Sequence, residues 1–154
     1  MTITNPPAAP LDAHLGYWLR FVSNHVSARF RQRVEEEDAT VTEWVALRAL
    51  YDHPLTTHAA LIQALGMTKG AASKVVSRLE HKGLARREPV PDRPREQALS
   101  LTRQGRALVR KLAALADENE AHFFGHLPTH ERQQLAKTFQ ELVTRHGFTE
   151  VPTA

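Results

Sequence analysis

Apolar residues recur every three or four positions in the first part of the chain, and this spacing predicts a long amphipathic helix from residue 15 to about residue 34. Four consecutive acidic residues follow at positions 35–38. Because negative charge opposes the dipole at the C-terminal end of a helix, we expect the helix to end within this run. The stripe comprises Leu15, Trp18, Leu19, Val22, Val26 and Phe30.

Two shorter helices are predicted next. The first begins near Thr42, which can act as the N-cap, and ends before Pro54. The second is capped by Thr56 or Thr57 and ends at Gly66, since glycine readily adopts the left-handed conformation that closes a helix. Only a tight turn then separates this helix from the next one.

The fourth helix runs from Thr68 to about Lys82, with Gly83 as its C-terminal stop. Its two faces differ in chemistry. One face is apolar at the spacing i, i+3, i+4 and i+7, and we expect it to be buried: Ala72, Val75, Val76 and Leu79. The other face is small, hydroxyl-bearing or basic: Lys69, Ser73, Lys74, Ser77 and Arg78.

Beyond Gly83 the pattern changes to partial alternation, which predicts short strands at 84–88 and 97–101. Residues 89–95, between the two strands, include three prolines, and we expect these to stiffen the tip of the hairpin and prevent strand pairing there. Thr102 then caps a long helix, and a break at residues 127–129 precedes a last helix.

Composition restricts the class of protein. With 154 residues, 42% hydrophobic and 24% charged, the chain is expected to form one unit over residues 13–154, preceded by a disordered, proline-containing arm at 1–12. No apolar run approaches the roughly 18 residues of a membrane span, and the N-terminus lacks the pattern of a signal peptide, so we expect a cytoplasmic protein. The absence of cysteine excludes disulfides and thiolate metal sites.

Charge is unevenly distributed along the chain. Residues 54–102 contain eight lysines and arginines against four acids, whereas the remainder contains 12 basic and 13 acidic residues. A localised basic surface is the electrostatic footprint of a protein that binds a phosphate backbone. The alternative from charge alone is an ordinary solvated face.

The order helix, turn, basic helix and hairpin supplies the parts of a winged helix-turn-helix, so we predict a mainly α fold with a small β-wing. A recognition helix enters the major groove closely, which requires small or hydrogen-bonding side chains near its N-terminus. Arg93 and Arg95 at the hairpin tip can enter a minor groove, with Asp92 placed to orient one guanidinium. The candidate helix contacts are Thr68, Lys69, Ala71, Ser73, Lys74 and Arg78.

Several motifs resemble the MarR family of bacterial transcriptional regulators: residues 61–80, Lys82-Gly83-Leu84, the tip at 92–95, and Leu101-Thr102 followed by Gly105. The resemblance implies a winged helix-turn-helix at 42–102 and dimerisation helices at 13–38 and 103–154. It further implies an obligate homodimer that reads a palindromic operator in double-stranded DNA. The family wing usually separates Asp and Arg by one residue. Here the separation is two, and Arg95 matches by its distance to Leu101-Thr102.

The resemblance also implies a sequence-specific regulator, and we predict a repressor that is released by a small aromatic or phenolic ligand bound between the dimer helices and the winged unit. The candidate pocket residues combine flat apolar surface, hydrogen-bonding groups and a cation. The alternative for each is ordinary packing at helical spacing. They are Trp18, Asn24, His25, Trp44 and Arg48.

Nine histidines raise the possibility of a metal site. His122, His126 and His130 are spaced four apart, so the first two are expected to share a helix face. Similar family members that sense zinc use further ligands on the first two helices, where this chain has Trp44 and Val45. His122 and His126 therefore remain weak candidates, and a metal-responsive regulator of the same fold is an alternative.

No phosphate-binding glycine loop, nucleophile elbow or HExxH motif is present in the sequence, so we predict neither an enzyme nor a bound cofactor. A further alternative is a winged-helix adaptor that binds proteins and has no affinity for DNA.

Overall fold

The structure, a computed structural model, describes residues 6–153. Within them the chain forms a mainly helical winged helix-turn-helix, as predicted. The helices are α1 (Leu15–Glu35), α2 (Val41–Asp52), α3 (His58–Leu65), α4 (Lys69–His81), α5 (Arg103–Phe124) and α6 (Thr129–His146). The strands are β1 (Thr56–Thr57), β2 (Ala85–Val90) and β3 (Arg93–Leu101).

The predicted N-terminal arm falls partly outside the described residues, at 1–5. Residues 6–10 have no regular secondary structure, and Leu11–Ala13 form a short 3-10 turn before α1. As predicted, α1 ends at the start of the acidic run. Within the described residues, no helix combines the length and the apolar character needed to cross a membrane.

Threonine side chains begin four of the helices. Thr57, Thr68 and Thr102 each accept a hydrogen bond from the backbone amide three residues later. This confirms the predicted cap of α5, selects Thr57 over Thr56 for α3, and agrees with the predicted start of α4 at Thr68. The prediction that Thr42 caps α2 was wrong, because the cap is Thr40. Thr40 and Glu43 form a reciprocal capping box, each side chain accepting from the other residue's amide at 3.1 Å, which satisfies two free backbone donors at once.

The wing differs from the prediction because β2 and β3 extend almost to the tip, where Asp92 forms the turn with φ of +66°. Pro89 pairs with Gln97 inside the ladder, so the expectation that the prolines prevent pairing was wrong. An edge strand tolerates proline, and β2 is at the edge of the sheet order β1-β3-β2. Pro94 lies in the part of β3 that is opposite the register shift between Pro89 and Val90 of β2.

Strand β1 was absent from the prediction because two residues are too few to show alternation. Thr56 and Thr57 pair antiparallel with Leu99 and Ala98 of β3, which attaches the wing to the start of α3.

One apolar core joins the winged unit to α5. The four residues of α4 that were expected to face inward, Ala72, Val75, Val76 and Leu79, are all at most 2% exposed. The last three share this core with side chains of α1, α2, α3, α5 and both wing strands, among them Leu47, Leu50, Leu61, Leu99 and Leu112. Helix α6 has no buried residue, and its apolar side chains remain on the surface. The first part of the α1 stripe, from Leu15 to Val22, is also exposed, whereas Phe30 packs against the core.

Thr102 and Gly105 anchor the base of the wing to α5. The Thr102 hydroxyl donates to the Gly83 carbonyl at 2.6 Å, and the Thr102 amide donates to the Leu84 carbonyl at 3.0 Å. A Cβ atom on Gly105 would lie 2.0 Å from the Leu84 carbonyl oxygen, so glycine is needed for this close approach.

A buried ion pair joins α2 to the end of α4. The Glu43 side chain is 1% exposed, and its Oε2 accepts a hydrogen bond from Lys82 Nζ at 3.0 Å as well as from the Thr40 amide. Lys82 Nζ also donates to the Asp38 carbonyl at 2.6 Å. Burying a carboxylate is costly unless it is paired and hydrogen-bonded, and here both conditions are met.

Replacing Lys82 tests this pair. Lys82→Met leaves the Glu43 carboxylate buried without its cation, so we expect the free energy of unfolding in urea to fall by roughly 3 kcal/mol. Lys111→Met is the matched control, because Lys111 pairs with Glu37 at the surface and such pairs contribute about 0 to 1 kcal/mol. Equal losses in the two variants at one protein concentration would contradict a structural role for the buried pair.

Candidate nucleic-acid interface

The turn between α3 and α4 consists of Gly66, Met67 and Thr68. Gly66 has φ of +62°, the left-handed conformation that ends α3. Thr68 then begins α4, and its hydroxyl accepts from the Ala71 amide at 3.2 Å. The three residues reverse the chain within a helix-turn-helix, and the N-terminal turn of α4 is exposed on the surface.

The outer face of α4 carries the predicted contact residues. Lys69, Ala71, Lys74 and Arg78 are exposed, and Ser73 is half-buried with its hydroxyl 3.5 Å from His58 Nε2. None of the three cations on this face forms an ion pair within residues 6–153. Their charges are therefore free to meet phosphates or the acceptor atoms of guanine.

The two arginines at the wing tip differ from each other. Arg93 Nη1 lies 3.4 Å from Glu96 Oε2, whereas Arg95 is exposed and forms no ion pair in the described part of the chain. The expectation that Asp92 orients an arginine was wrong for this structure, because Asp92 forms the turn and Arg93 turns to Glu96 instead. Arg95 is thus the less restrained of the two cations.

Other basic residues of the middle third hold the structure together. Arg87 Nε on β2 donates to Glu80 Oε1 on α4 at 2.7 Å, which ties the wing to the recognition helix. Arg86 pairs with Glu88 at 2.7 Å within β2. Sequence reasoning did not separate these residues from the unpaired cations, since the contact between Glu80 and Arg87 spans a helix, a turn and a strand and follows no period.

The candidate pocket residues on α1 have local contacts. Trp18 Nε1 donates to the Asp12 carbonyl at 2.8 Å. His25 stacks on Phe21, with ring centroids 5.0 Å apart, and its Nδ1 lies 2.8 Å from the Phe21 carbonyl oxygen. Asn24 is exposed.

The candidate pocket residues on α2 are half-buried. Trp44 meets Phe30 edge-on with centroids 6.3 Å apart, and Arg48 pairs with Asp52 at 2.8 Å and lies over the Tyr51 ring. In residues 6–153, no polar or aromatic contact joins these two residues to the three on α1.

The weak metal candidates are not on one helix. His122 lies on α5, but α5 ends at Phe124, so the expectation that His126 shares its helix face was wrong. Pro128 follows closely and cannot continue a helix, which places His126 in the turn. Over the described range, no three histidine or carboxylate side chains lie close enough together to hold a metal ion.

Two comparisons at the level of sequence agree with this geometry. A sequence model described as MarR family matches residues 38–96. The chain is 31% identical over 127 residues to the transcriptional regulator HosA of Escherichia coli O111:H-, covering 82% of this chain and 90% of HosA. It is 27% identical over 147 residues to the HTH-type transcriptional repressor NicR of Pseudomonas putida, covering 91% and 93% of the two chains.

Solved structures show the same architecture. The S. aureus MepR–DNA complex superposes with a TM-score of 0.75 at 25% identity, over 86% of this chain and 98% of that chain. BpsR of Bordetella bronchiseptica, whose DNA binding is described as regulated by 6-hydroxynicotinic acid, superposes with a TM-score of 0.74 at 24% identity, over 88% and 97%.

The unequal restraint of the two wing arginines leads to a prediction. Arg95→Ala should weaken binding to a preferred DNA duplex by about 1 to 3 kcal/mol, mostly through A·T-rich flanks with a narrow minor groove. Arg93→Ala should cost less, because Arg93 is already paired with Glu96. Fluorescence anisotropy with labelled duplex measures both. An Arg95→Ala protein that binds as tightly as the parent would contradict the assignment of Arg95 to a DNA contact.

Proposed function

Because the chain belongs to the MarR family of transcriptional regulators, we propose that it is a homodimeric repressor that reads a palindromic operator and is released by a small aromatic or phenolic ligand. The observation that carries the proposal is α4, which buries one face in the core and exposes on the other three cations that form no ion pair within residues 6–153. The tip of the wing carries a further exposed cation, Arg95. Two-fold symmetry would set two such helices about 34 Å apart, in successive major grooves.

The proposed contacts divide by groove. At the N-terminal end of α4, Ala71 can touch a thymine methyl and Ser73 can bond a base edge or a phosphate. Thr68, Lys69, Lys74 and Arg78 supply hydrogen bonds and positive charge to the same groove and its phosphates. Arg93 and Arg95 are assigned to the minor groove, where a narrow electronegative channel attracts long cations.

The homodimer is supported by apolar surface that one chain leaves open. On α1, Leu15 is 88% and Leu19 is 52% exposed, and on α6, Leu135 and Phe139 are 44% and 46% exposed. Contiguous apolar stripes of this kind mark interaction surfaces. Both stripes lie outside the winged unit, so pairing through them leaves each α4 free to meet DNA.

A charged residue in the α6 stripe tests the dimer. Phe139→Glu should convert the protein to a monomer in sedimentation velocity and weaken binding to a two-half-site duplex by roughly 10²-fold, because the two half-sites no longer act in one complex. Gln140→Glu adds the same charge at the neighbouring exposed position and should leave the dimer intact. A Phe139→Glu protein that sediments as the parent does would contradict the assignment of α6.

An aromatic effector is supported by what is known of similar proteins and by residue chemistry. The structural neighbour BpsR responds to 6-hydroxynicotinic acid, and NicR is named a repressor. In this chain we assign the effector to the residues that combine indole rings, hydrogen-bonding groups and a cation: Trp18, Asn24, His25, Trp44 and Arg48. Such a ligand acts only by binding one spacing of the two recognition helices better than another.

The effector assignment can be tested by fluorescence, because both tryptophans of the chain belong to the proposed set. Titration with 6-hydroxynicotinic acid or 4-hydroxybenzoic acid should change tryptophan emission and lower the affinity of the protein for duplex. By linkage, bound duplex should lower the affinity for the ligand by the same factor. Arg48→Ala should lose the response, whereas Arg20→Ala, an exposed arginine of α1 outside the set, should keep it. Identical responses in the two variants would refute the role of Arg48.

The operator itself provides the direct test of the proposed function. Selection of duplexes from a random library by the purified protein should enrich an inverted repeat with half-site centres about 10 base pairs apart. If no sequence is enriched, or if only a single unrepeated half-site is enriched, the proposal that the protein binds a palindromic operator as a dimer is contradicted.

A further inference from the structure

After α6 the chain turns back toward the winged unit. Helix α6 ends at Gly147, with φ of +65°, and the Phe148 amide donates to the Val143 carbonyl at 3.1 Å. This closed helix end fixes the direction in which the chain leaves α6. The following residues, 149–153, have no regular secondary structure and are called the strap below.

The strap contacts the turn of the helix-turn-helix. A Cβ atom placed on Gly66 would lie 3.4 Å from the Glu150 Cα, 3.6 Å from the Thr149 carbonyl oxygen and 3.7 Å from the Val151 nitrogen. The strap backbone therefore packs directly on the residue that links α3 to α4. The positive φ of Gly66, which favours glycine, therefore places the turn within contact distance of the strap backbone.

A second contact secures the far end of the strap. The Thr42 hydroxyl donates to the Thr153 carbonyl at 3.0 Å. Thr42 stands in the first turn of α2, next to Glu43, which binds Lys82 at the end of α4. The strap is thus attached to α2, which holds the C-terminal end of α4, and it also lies against Gly66 in the turn before the N-terminal end of α4.

We propose that the strap holds the α3–α4 turn in the position from which α4 reads its operator, so that residues 149–153 are positioning residues for DNA recognition. Lys69, the first residue of α4, lies three positions after Gly66, and a shift of the turn would move the N-terminal side chains of α4 relative to the base edges. The proposal rests on the proposed function only in that α4 is the reading helix.

A chain that ends at Phe148 tests the strap, because it keeps the hydrogen bond that closes α6. In the free protein, amide hydrogen exchange at residues 66–69 should become at least about fivefold faster. Affinity for the selected operator should fall about three- to tenfold, while affinity for an unrelated duplex stays unchanged, because positioning affects base contacts rather than phosphate contacts.

Glu150→Gln is the matched control, since the strap meets Gly66 through its backbone. This variant should behave as the parent does. Tighter DNA binding by Glu150→Gln or by the shortened chain would overturn the proposal and identify the strap as an acidic arm that repels DNA. Equal loss of operator and unrelated duplex would also overturn it, since that result indicates general destabilisation.

Thr42→Val provides a second variant if the shortened chain does not fold. It removes the hydroxyl that holds Thr153 but leaves the Thr40–Glu43 capping box in place. Exchange at residues 66–69 should rise at least about twofold with an unchanged urea midpoint, and no rise would overturn the proposal. Hydrogen exchange is measured without DNA, so it tests the role of the strap independently of whether the protein binds DNA. Failure to bind any duplex would instead contradict the proposed function.

Discussion

The buried carboxylate of Glu43 connects parts of the chain that are far apart in sequence. It caps α2 through Thr40 and binds Lys82 at the end of α4. Lys82 in turn holds the Asp38 carbonyl in the loop between α1 and α2. Because this contact fixes one end of α4 and the Gly66–Thr68 turn fixes the other, the direction of the exposed face of α4 is set by buried and capped groups.

The basic residues of the middle third fall into two groups with different consequences. Four of the eight form ion pairs, and two of these pairs connect separate elements, α4 to α2 through Lys82 and α4 to the wing through Arg87. The other four form no ion pair within residues 6–153 and lie on α4 and the wing tip: Lys69, Lys74, Arg78 and Arg95. Arg87 therefore holds the wing beside α4, Lys82 holds α4 against α2, and the unpaired cations remain available for an external anion.

Local signals in the sequence were sufficient for the helix-turn-helix. The threonine caps at 57, 68 and 102, the left-handed Gly66 and the inward face of α4 each depend on residues within one or two helical turns, and all were confirmed. The errors at Thr42 and His126 arose where two local signals competed. At the start of α2, the capping box of Thr40 with Glu43 decided the cap, although Thr42 is also a suitable residue. At the end of α5, the helix stops before Pro128, although the four-residue spacing of the histidines suggested that it continues.

Features that depend on distant residues were not accessible to the same reasoning. Glu43 and Lys82 are 39 positions apart, and Thr42 and Thr153 are 111 apart, so no period or motif connects them. Pro89 can pair within the wing because β2 is an edge strand. The position of β2 at the edge follows from the pairing of β1 with the other side of β3, which the sequence did not predict.

We propose that the outer face of α4 and the wing tip contact the phosphate backbone and base edges of duplex DNA. Salt titration of binding to the selected operator tests this most directly. The logarithm of the association constant should fall linearly with the logarithm of salt concentration, by about 0.9 per phosphate contact, and the slope should become shallower by about one unit in Lys74→Ala. Binding that does not depend on salt, or no binding to duplex at all, would contradict it.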